Sequence, residues 1–458
     1  MKKFDHPILA RVRQSAATVN KQGEKKETLS WQQLALIGIS SVIGAGFFLG
    51  SSVAIQSAGR AVLLSYFVSG LAAFTVFSAL VEMTVNDPQI GSFRTYAKQA
   101  FGDSYAFVTG WIYWLAGLLI VSSEITALAT FSRFWFPDVP LWLFCFFFAA
   151  CGSGIVLSGL HNFGTIESFF AVIKTGALAA FILFAFAYVL QGGRMPHAAL
   201  YTLWSGSSSL HGFSGWYQSL IFTLLSFGGI EIVGITASSC RTENDVLKAG
   251  FSMIFVLTSL YLLAMTAVFM MVKQTLIHAD QSPFVTALAS IHLPFIDSFF
   301  NIIILSAAFS TMIGALYSMT TILAVLADDG AAPHFFRQQS TQRLRCLAVT
   351  FILLVALISV SYFLPKTVYE YLAAAAGTML LLNWLNILLS DLKIRRTYQG
   401  AHWRFRYQRL AAGIGAGTIL FSLTGALTDR HQRVSVVLSA LILGILALSR
   451  FIKRRERR

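Results

Sequence analysis

Long apolar runs separated by short polar stretches recur along the whole chain. A bilayer's hydrocarbon core takes a helix of about 20 apolar residues, so each run predicts a membrane-spanning helix. Twelve spans are predicted, near 31–53, 61–82, 105–131, 139–159, 165–190, 216–239, 251–272, 295–325, 344–363, 367–390, 409–427 and 434–452. The eighth is overlong and is expected to tilt or to extend beyond the core. A polar tail, 1–30, precedes the first span, and no signal-peptide pattern opens the chain, so no removable leader is expected. Short loops predict one membrane domain. Its spans fall into a first set of five at 31–190, a second set of five at 216–390 and a last pair at 409–452, followed by a basic tail at 453–458.

Two spans carry a weak point. The first reads "ISSVIGAGFFLG" over 39–50, with Gly44 and Gly46 at its centre, and the sixth reads "LLSFGGIEIVG", with Gly228 and Gly229. Five is an odd number of spans, so the second set of five runs inverted to the first. Glycine-interrupted spans at matching positions of inverted halves point to the binding site of a secondary transporter. Unwinding a helix in lipid strands N–H and C=O groups at several kcal/mol each, so a break persists only beside a polar cavity or a ligand. Amides at Gly44, Ala45 and Gly46 would attract a carboxylate, and carbonyls at Val42, Leu225 and Gly228 would attract an ammonium. Together they describe an α-amino acid. Close helix packing is the other use of small residues in membranes. A single glycine pair would favour that use, and two pairs at matching positions favour the site.

Composition sharpens this. Of 458 residues 56% are hydrophobic and 12% charged, which excludes an ordinary soluble domain. The net charge of +14 would suit nucleic acid, but its distribution follows membrane topology. With the N-terminus in the cytoplasm, 26 of the 34 Lys and Arg fall on the cytoplasmic side. The outer side holds only Arg60, Arg133, Arg194, Lys273, Lys366, Arg430 and Arg433. Both termini are therefore expected inside, and the ending "RFIKRRERR" is expected at anionic lipid headgroups rather than at nucleic acid. Cys145, Cys151, Cys240 and Cys346 have neither metal nor disulfide spacing. No histidine lies deep in a span. No metal site and no cofactor are expected, and no nucleophile–base pair suggests an enzyme.

Three ionisable residues do lie deep in spans: Glu124 in the third, Lys174 in the fifth and Glu231 in the sixth. Each costs a few kcal/mol unless paired or hydrated. Withdrawal from water disfavours the charged form, which makes them candidates for proton coupling; a structural hydrogen-bonding role is the alternative for each. An amine at Lys174, near the first break, can do the electrostatic work of a bound cation. In "FSTM" of the eighth span, Ser310 and Thr311 are its candidate acceptors, unless they bond back to their own helix.

These stretches resemble the amino-acid permeases of the amino acid–polyamine–organocation superfamily, specifically the bacterial amino acid transporter family. The resemblance runs from about Leu29 to Arg396. It rests on "IGISSVIGAGFFLGS", "EMTVNDPQIGSFRTYAKQAFG", "GWIYW" with "SSEITALATFSRFWFPDVPLW", "FGTIESFFAVIKTGALAAFI", "LSFGGIEIVGITA", "SAAFSTMIGALYSMTTILAVLADDGAAPHFF" and "NWLNILLSDLKIRR". It implies a LeuT-like all-α membrane fold of two inverted five-helix repeats plus two peripheral helices, with discontinuous first and sixth helices. It also implies amino-acid uptake coupled to protons. By likeness, Gly44, Ala45 and Gly46 hold the substrate carboxylate, and Val42, Leu225 and Gly228 hold its ammonium. Phe227 is a gate or pocket wall. Lys174 stands in for sodium, with Glu124 and Glu231 as the family's glutamates. The stretch "TASSCRTENDVLKA" after the sixth span departs from the family, with Ser239 in place of an acidic residue and without its prolines. The expectation is a proton-coupled importer of a neutral, apolar amino acid in a bacterial plasma membrane. An exchanger without net proton flow and a non-transporting amino-acid sensor are its rivals.

Overall fold

The computed structural model describes residues 30–87, 93–158, 163–191, 212–231, 243–292, 295–337, 341–363, 367–397 and 407–455. The predicted tail before Ser30, the end of the sixth span with the departing loop, and the side chains of the basic tail lie outside them.

The chain is all-helical. Helix α1 (Trp31–Val42) starts at a capping box: the Ser30 hydroxyl accepts from the Gln33 amide, and the Gln33 side chain accepts from the Ser30 amide. It ends where Gly44 becomes extended, at φ −146° and ψ −158°. The chain resumes as α2 (Ala45–Phe48) and α3 (Gly50–Ala58). Then follow α4 (Val62–Asn86), α5 (Phe93–Phe101), α6 (Asp103–Ser132), α7 (Leu141–Ser158), α8 (Phe163–Leu190) and α9 (Gly212–Leu225). After α9 the chain leaves the helix through Ser226–Ile230, with Gly229 at φ +108°, a left-handed conformation that glycine adopts without a Cβ penalty. The rest comprises α10 (Glu243–Met271), α11 (Pro283–Ala289), α12 (Ile296–Asp328), α13 (Gln342–Phe363), α14 (Val368–Thr397), α15 (Gln408–Ala426) and α16 (Arg430–Arg455).

Among the described residues, ten stretches are long and apolar enough to cross a membrane. They correspond to the second to fifth and seventh to twelfth predicted spans. Among the described residues, α1 of the first span ends at the Gly44 break, and the sixth span, described as far as Glu231, leaves its helix after Leu225, both where the glycines predicted. The eighth, α12, is indeed long, at 33 residues. Two short helices were not foreseen, α5 between the second and third spans and α11 between the seventh and eighth.

Packing repeats with a shift of five spans. The third span, α6, packs on the fourth, α7, and correspondingly the eighth, α12, packs on the ninth, α13. The fifth, α8, packs on α1, α10 and α12; the tenth, α14, packs on their counterparts α9, α4 and α6. The fold is thus the LeuT-like one, with the interrupted helices enclosed between the two arms. On the near side of the bundle, where α1 begins, buried Arg395 bonds Asp391 within α14 and Glu82 on α4. Arg94 on α5 pairs with Asp329 at the end of α12. On the far side, α11 sets Phe284 against Phe47 and Phe48, at ring separations of 5.3 and 5.6 Å.

Candidate functional site

The two breaks meet. The Ser226 hydroxyl donates to the Gly46 carbonyl at 2.7 Å, and the Ser41 hydroxyl to the Gly229 carbonyl at 3.3 Å. A Cβ at Gly229 would lie 2.6 Å from the Ser41 carbonyl oxygen, so this approach of two backbones requires glycine. Side chains from surrounding helices bond further carbonyls at the breaks, of which that of Ala45 also accepts from the Leu49 amide. Tyr369 on α14 donates to Ala45 at 2.9 Å, Tyr261 on α10 to Ser226 at 3.0 Å, and Thr311 on α12 to Ile43 at 3.0 Å. The unwound backbone is therefore sustained by hydroxyls, as a low-dielectric setting demands.

The charges divide between the two ends of the first break. Lys174, fully buried on α8, donates to the Ser40 carbonyl at 2.7 Å and to Thr311 at 2.9 Å, where the last carbonyls of α1 carry partial negative charge. Glu124 on α6 lies across the break. Both of its carboxylate oxygens accept from the Ala45 amide, at 3.1 and 3.0 Å, and the Gly46 amide also points at it. Gly44 makes room for this: a Cβ there would lie 2.7 Å from Glu124 Oε1 and 2.8 Å from Thr311 Oγ1.

This changes part of the predicted site. The Ala45 amide is not free for a substrate carboxylate, because Glu124 already holds it. The Leu225 carbonyl is shared with the Gly228 amide at 2.8 Å. Ser310 is not brought to the Lys174 amine: its buried hydroxyl has no partner among the described residues, and the neighbouring Thr311 makes the bond, because consecutive helix positions point about 100° apart. Phe227 does not line the central cavity. Its ring packs on Tyr261 at 5.2 Å. Glu231 stands apart from Lys174 and Glu124; it accepts from the Gly229 amide at 2.9 Å and from the Trp384 indole, and so supports the second break.

Between the breaks lies a cavity of about 60 Å³, reached by Val42, Gly46, Glu124, Leu225, Gly228 and Thr311. The first, third, sixth, eighth and tenth spans form its walls. Tyr113, Ser318 and Met319 carry it toward the near side, and Leu380 faces it from α14. That volume holds a few water molecules but no amino acid. Accepting one needs Met319 and Leu380, both flexible, to move aside. Sequence reading missed Tyr113, Tyr369 and Trp384; each is an aromatic with a polar tip inside an apolar span, the one signal that marked them. A larger cavity of about 530 Å³ lies on the far side, lined by Leu49, Arg133, Asp280, Asn301 and Tyr369 among others.

A model of the family described as "Amino acid permease" matches residues 33–447. The chain belongs to that family. It is 38% identical to the uncharacterized transporter YcgH of Bacillus subtilis, over 82% of this chain and 84% of that one. It is 31% identical to the aromatic amino acid transport protein AroP of Escherichia coli K12, over 92% and 93%. Among solved structures, MhsT in complex with L-phenylalanine matches with a TM-score of 0.63 at 15% identity, over 88% of this chain and all of that one. The manganese transporter of Eremococcus coleocola matches with a TM-score of 0.55 at 13% identity, over 92% of each chain. At such identities the structural likeness shows the fold alone. The permease is thus a multi-pass membrane protein of an amino-acid transporter family rather than an enzyme.

Proposed function

We propose that this permease carries out proton-coupled uptake of a neutral amino acid with an apolar, aromatic side chain, by alternating access across a bacterial plasma membrane, with both termini cytoplasmic. The observation that carries this reading is the meeting of two interrupted helices at a cavity, with Lys174 and Glu124 buried at opposite ends of the first break. Lys174 supplies the fixed positive charge that a bound cation would supply, so no sodium is needed. Glu124 is the carboxylate beside it that takes and releases the proton. Val42, Leu225 and Gly228 face the ammonium, and Gly44, Ala45 and Gly46 the carboxylate. Phe227, behind the second break, helps gate it through Tyr261. Glu231 and Ser310 remain candidates for a supporting part in coupling.

The wall and the relatives support this side-chain class. Ile120, Met319, Ala315 and Leu380 offer an apolar surface, and Glu231 is engaged by Trp384 and the Gly229 amide rather than open to a cationic side chain. AroP relatives are named for aromatic amino acids.

The test is uptake into proteoliposomes under an imposed pH gradient, with labelled phenylalanine competed by the other amino acids. Accumulation should follow the gradient and collapse with a protonophore. Accumulation indifferent to the protonophore removes the proton claim. Counterflow without net uptake makes the protein an exchanger, and binding without flux makes it a sensor.

A further inference from the structure

We infer that Glu124 is a tethered competitor of the substrate: its carboxylate occupies the main-chain donors that the amino acid's own carboxylate needs, and binding proceeds by exchange of one for the other. The inference rests on the transport reading above and specifies how a proton enters it.

The geometry is direct. The Ala45 amide is spanned by both Glu124 oxygens, at 3.0 and 3.1 Å, and Gly46 and Glu124 line the same cavity. An amino acid whose ammonium faces Val42 and Gly228 extends its carboxylate toward Gly46 and Ala45. There is one set of donors and there are two carboxylates.

The neighbouring polar groups are already engaged with the broken backbone. From α12, Thr311 donates to the Ile43 carbonyl. From α14, the Tyr369 hydroxyl donates to the Ala45 carbonyl, and from α10 the Tyr261 hydroxyl donates to Ser226. Tyr66 on α4 shares its hydroxyl with Ser226. Glu231 also faces the cavity, where it is held by Trp384 and Gly229. Lys174 on α8 is the cationic group facing the break. The Ala45 amide is one donor and cannot serve two carboxylates at once. For the substrate's carboxylate to take it, Glu124 must let go, and the balanced step takes one proton from solution onto a Glu124 oxygen. The protonated side chain is a poor acceptor and releases the Ala45 amide. Once the substrate leaves, Glu124 loses the proton and reclaims the donor. One proton then accompanies each amino acid because the two anions cannot share the site.

The test compares L-phenylalanine with 2-phenylethylamine, which has the same side chain and ammonium but no carboxylate. Binding is measured by calorimetry on the full-length protein in lipid nanodiscs over a series of pH values. For the wild type, the phenylalanine Kd should fall as pH falls, by up to about tenfold per pH unit while Glu124 remains ionised. Phenylethylamine, which does not compete for the amides, should lack this dependence. Glu124→Gln should bind phenylalanine with the wild type's low-pH affinity at every pH. Glu124→Asp keeps the charge but falls short of Ala45, and should bind phenylalanine more tightly than wild type at alkaline pH. Equal pH dependence for the acid and the amine overturns the inference, as does pH-independent binding by the wild type or an unchanged dependence in both variants. If no neutral amino acid binds at any pH, the transport reading itself falls, and the inference with it.

Discussion

Gly44 and Gly46 are two residues apart and meet different neighbours. A Cβ at Gly44 would collide with Glu124 Oε1 at 2.7 Å and with Thr311 at 2.8 Å. Both atoms are fixed by hydrogen bonds, so relief requires breaking one. Gly44→Ala is expected to cost about 1–3 kcal/mol, as overpacking of a tight site does, and to lower Tm together with substrate affinity. At Gly46 the nearest atom to a new Cβ is the Leu225 carbonyl oxygen at 3.5 Å, an ordinary contact. Gly46→Ala should leave Tm within the scatter of surface substitutions. Gly46→Val should keep the fold while its methyls fill the cavity, abolishing binding; normal binding by Gly46→Val would mean the site is misplaced. Lys174→Ala removes the charge facing Glu124, and should insert normally yet lose gradient-driven accumulation, which flux assays on vesicles would reveal. The sequence made these glycines and charges legible because lipid makes both costly. It did not tell Thr311 from Ser310, since that depends on the rotation of α12, nor that Glu124 reaches the Ala45 amide, since that depends on where α6 crosses the break.

The interrupted helices are sustained by a few hydroxyls rather than by their own ladders. The Tyr369 hydroxyl reaches the Ala45 carbonyl from the start of α14, and the Ser226 hydroxyl reaches Gly46 across the two breaks. Tyr369→Phe keeps the ring and removes one of the two donors to a carbonyl that still accepts from the Leu49 amide, a loss of about 0.5–1.5 kcal/mol. Ser226→Ala should cost a similar amount. In the double variant the two losses should not add, because Ala45 and Gly46 belong to one segment; thermal unfolding of the four proteins would measure the coupling. The spans were readable from hydropathy, and the breaks from glycine placed where a membrane helix tolerates it least. The short helices were not. Helix α5, with nine residues, and α11, with seven, fall below the length at which an apolar run is distinctive. Their positions come from tertiary partners, Asp329 for Arg94 on α5 and the aromatic rings around Phe284 for α11.

For the whole molecule, the small cavity leads to the near side and the larger one lies on the far side, and the stretch just beyond the first break is packed with aromatic rings. Phe47 stacks on Tyr261 at 3.8 Å, and Phe284 on α11 closes over Phe47, Phe48 and Phe181 at 5.1–5.6 Å. These rings are fully or almost fully buried, and the small cavity leads toward the near side. Under the proposed alternating access, α11 would leave this cluster when the far side opens. The packing of Phe284 then stabilises the far-closed state and contributes little to the far-open one. Removing a buried phenylalanine ring costs about 3–5 kcal/mol where it is packed, and even about 1.4 kcal/mol confined to one state shifts the ratio of the two about tenfold. Phe284→Ala should therefore move the population toward the far-open state. Leu49 reports on it, being fully buried yet part of the far cavity wall. In a chain whose four native cysteines are replaced, Leu49→Cys should react slowly with a membrane-impermeant thiol reagent applied from the far side, and markedly faster when combined with Phe284→Ala. Saturating substrate should alter that rate in both. A rate untouched by Phe284→Ala would mean that α11 is a fixed cap and that the far side opens elsewhere, leaving Tyr369 over the Ala45 carbonyl as the remaining barrier between cavity and break.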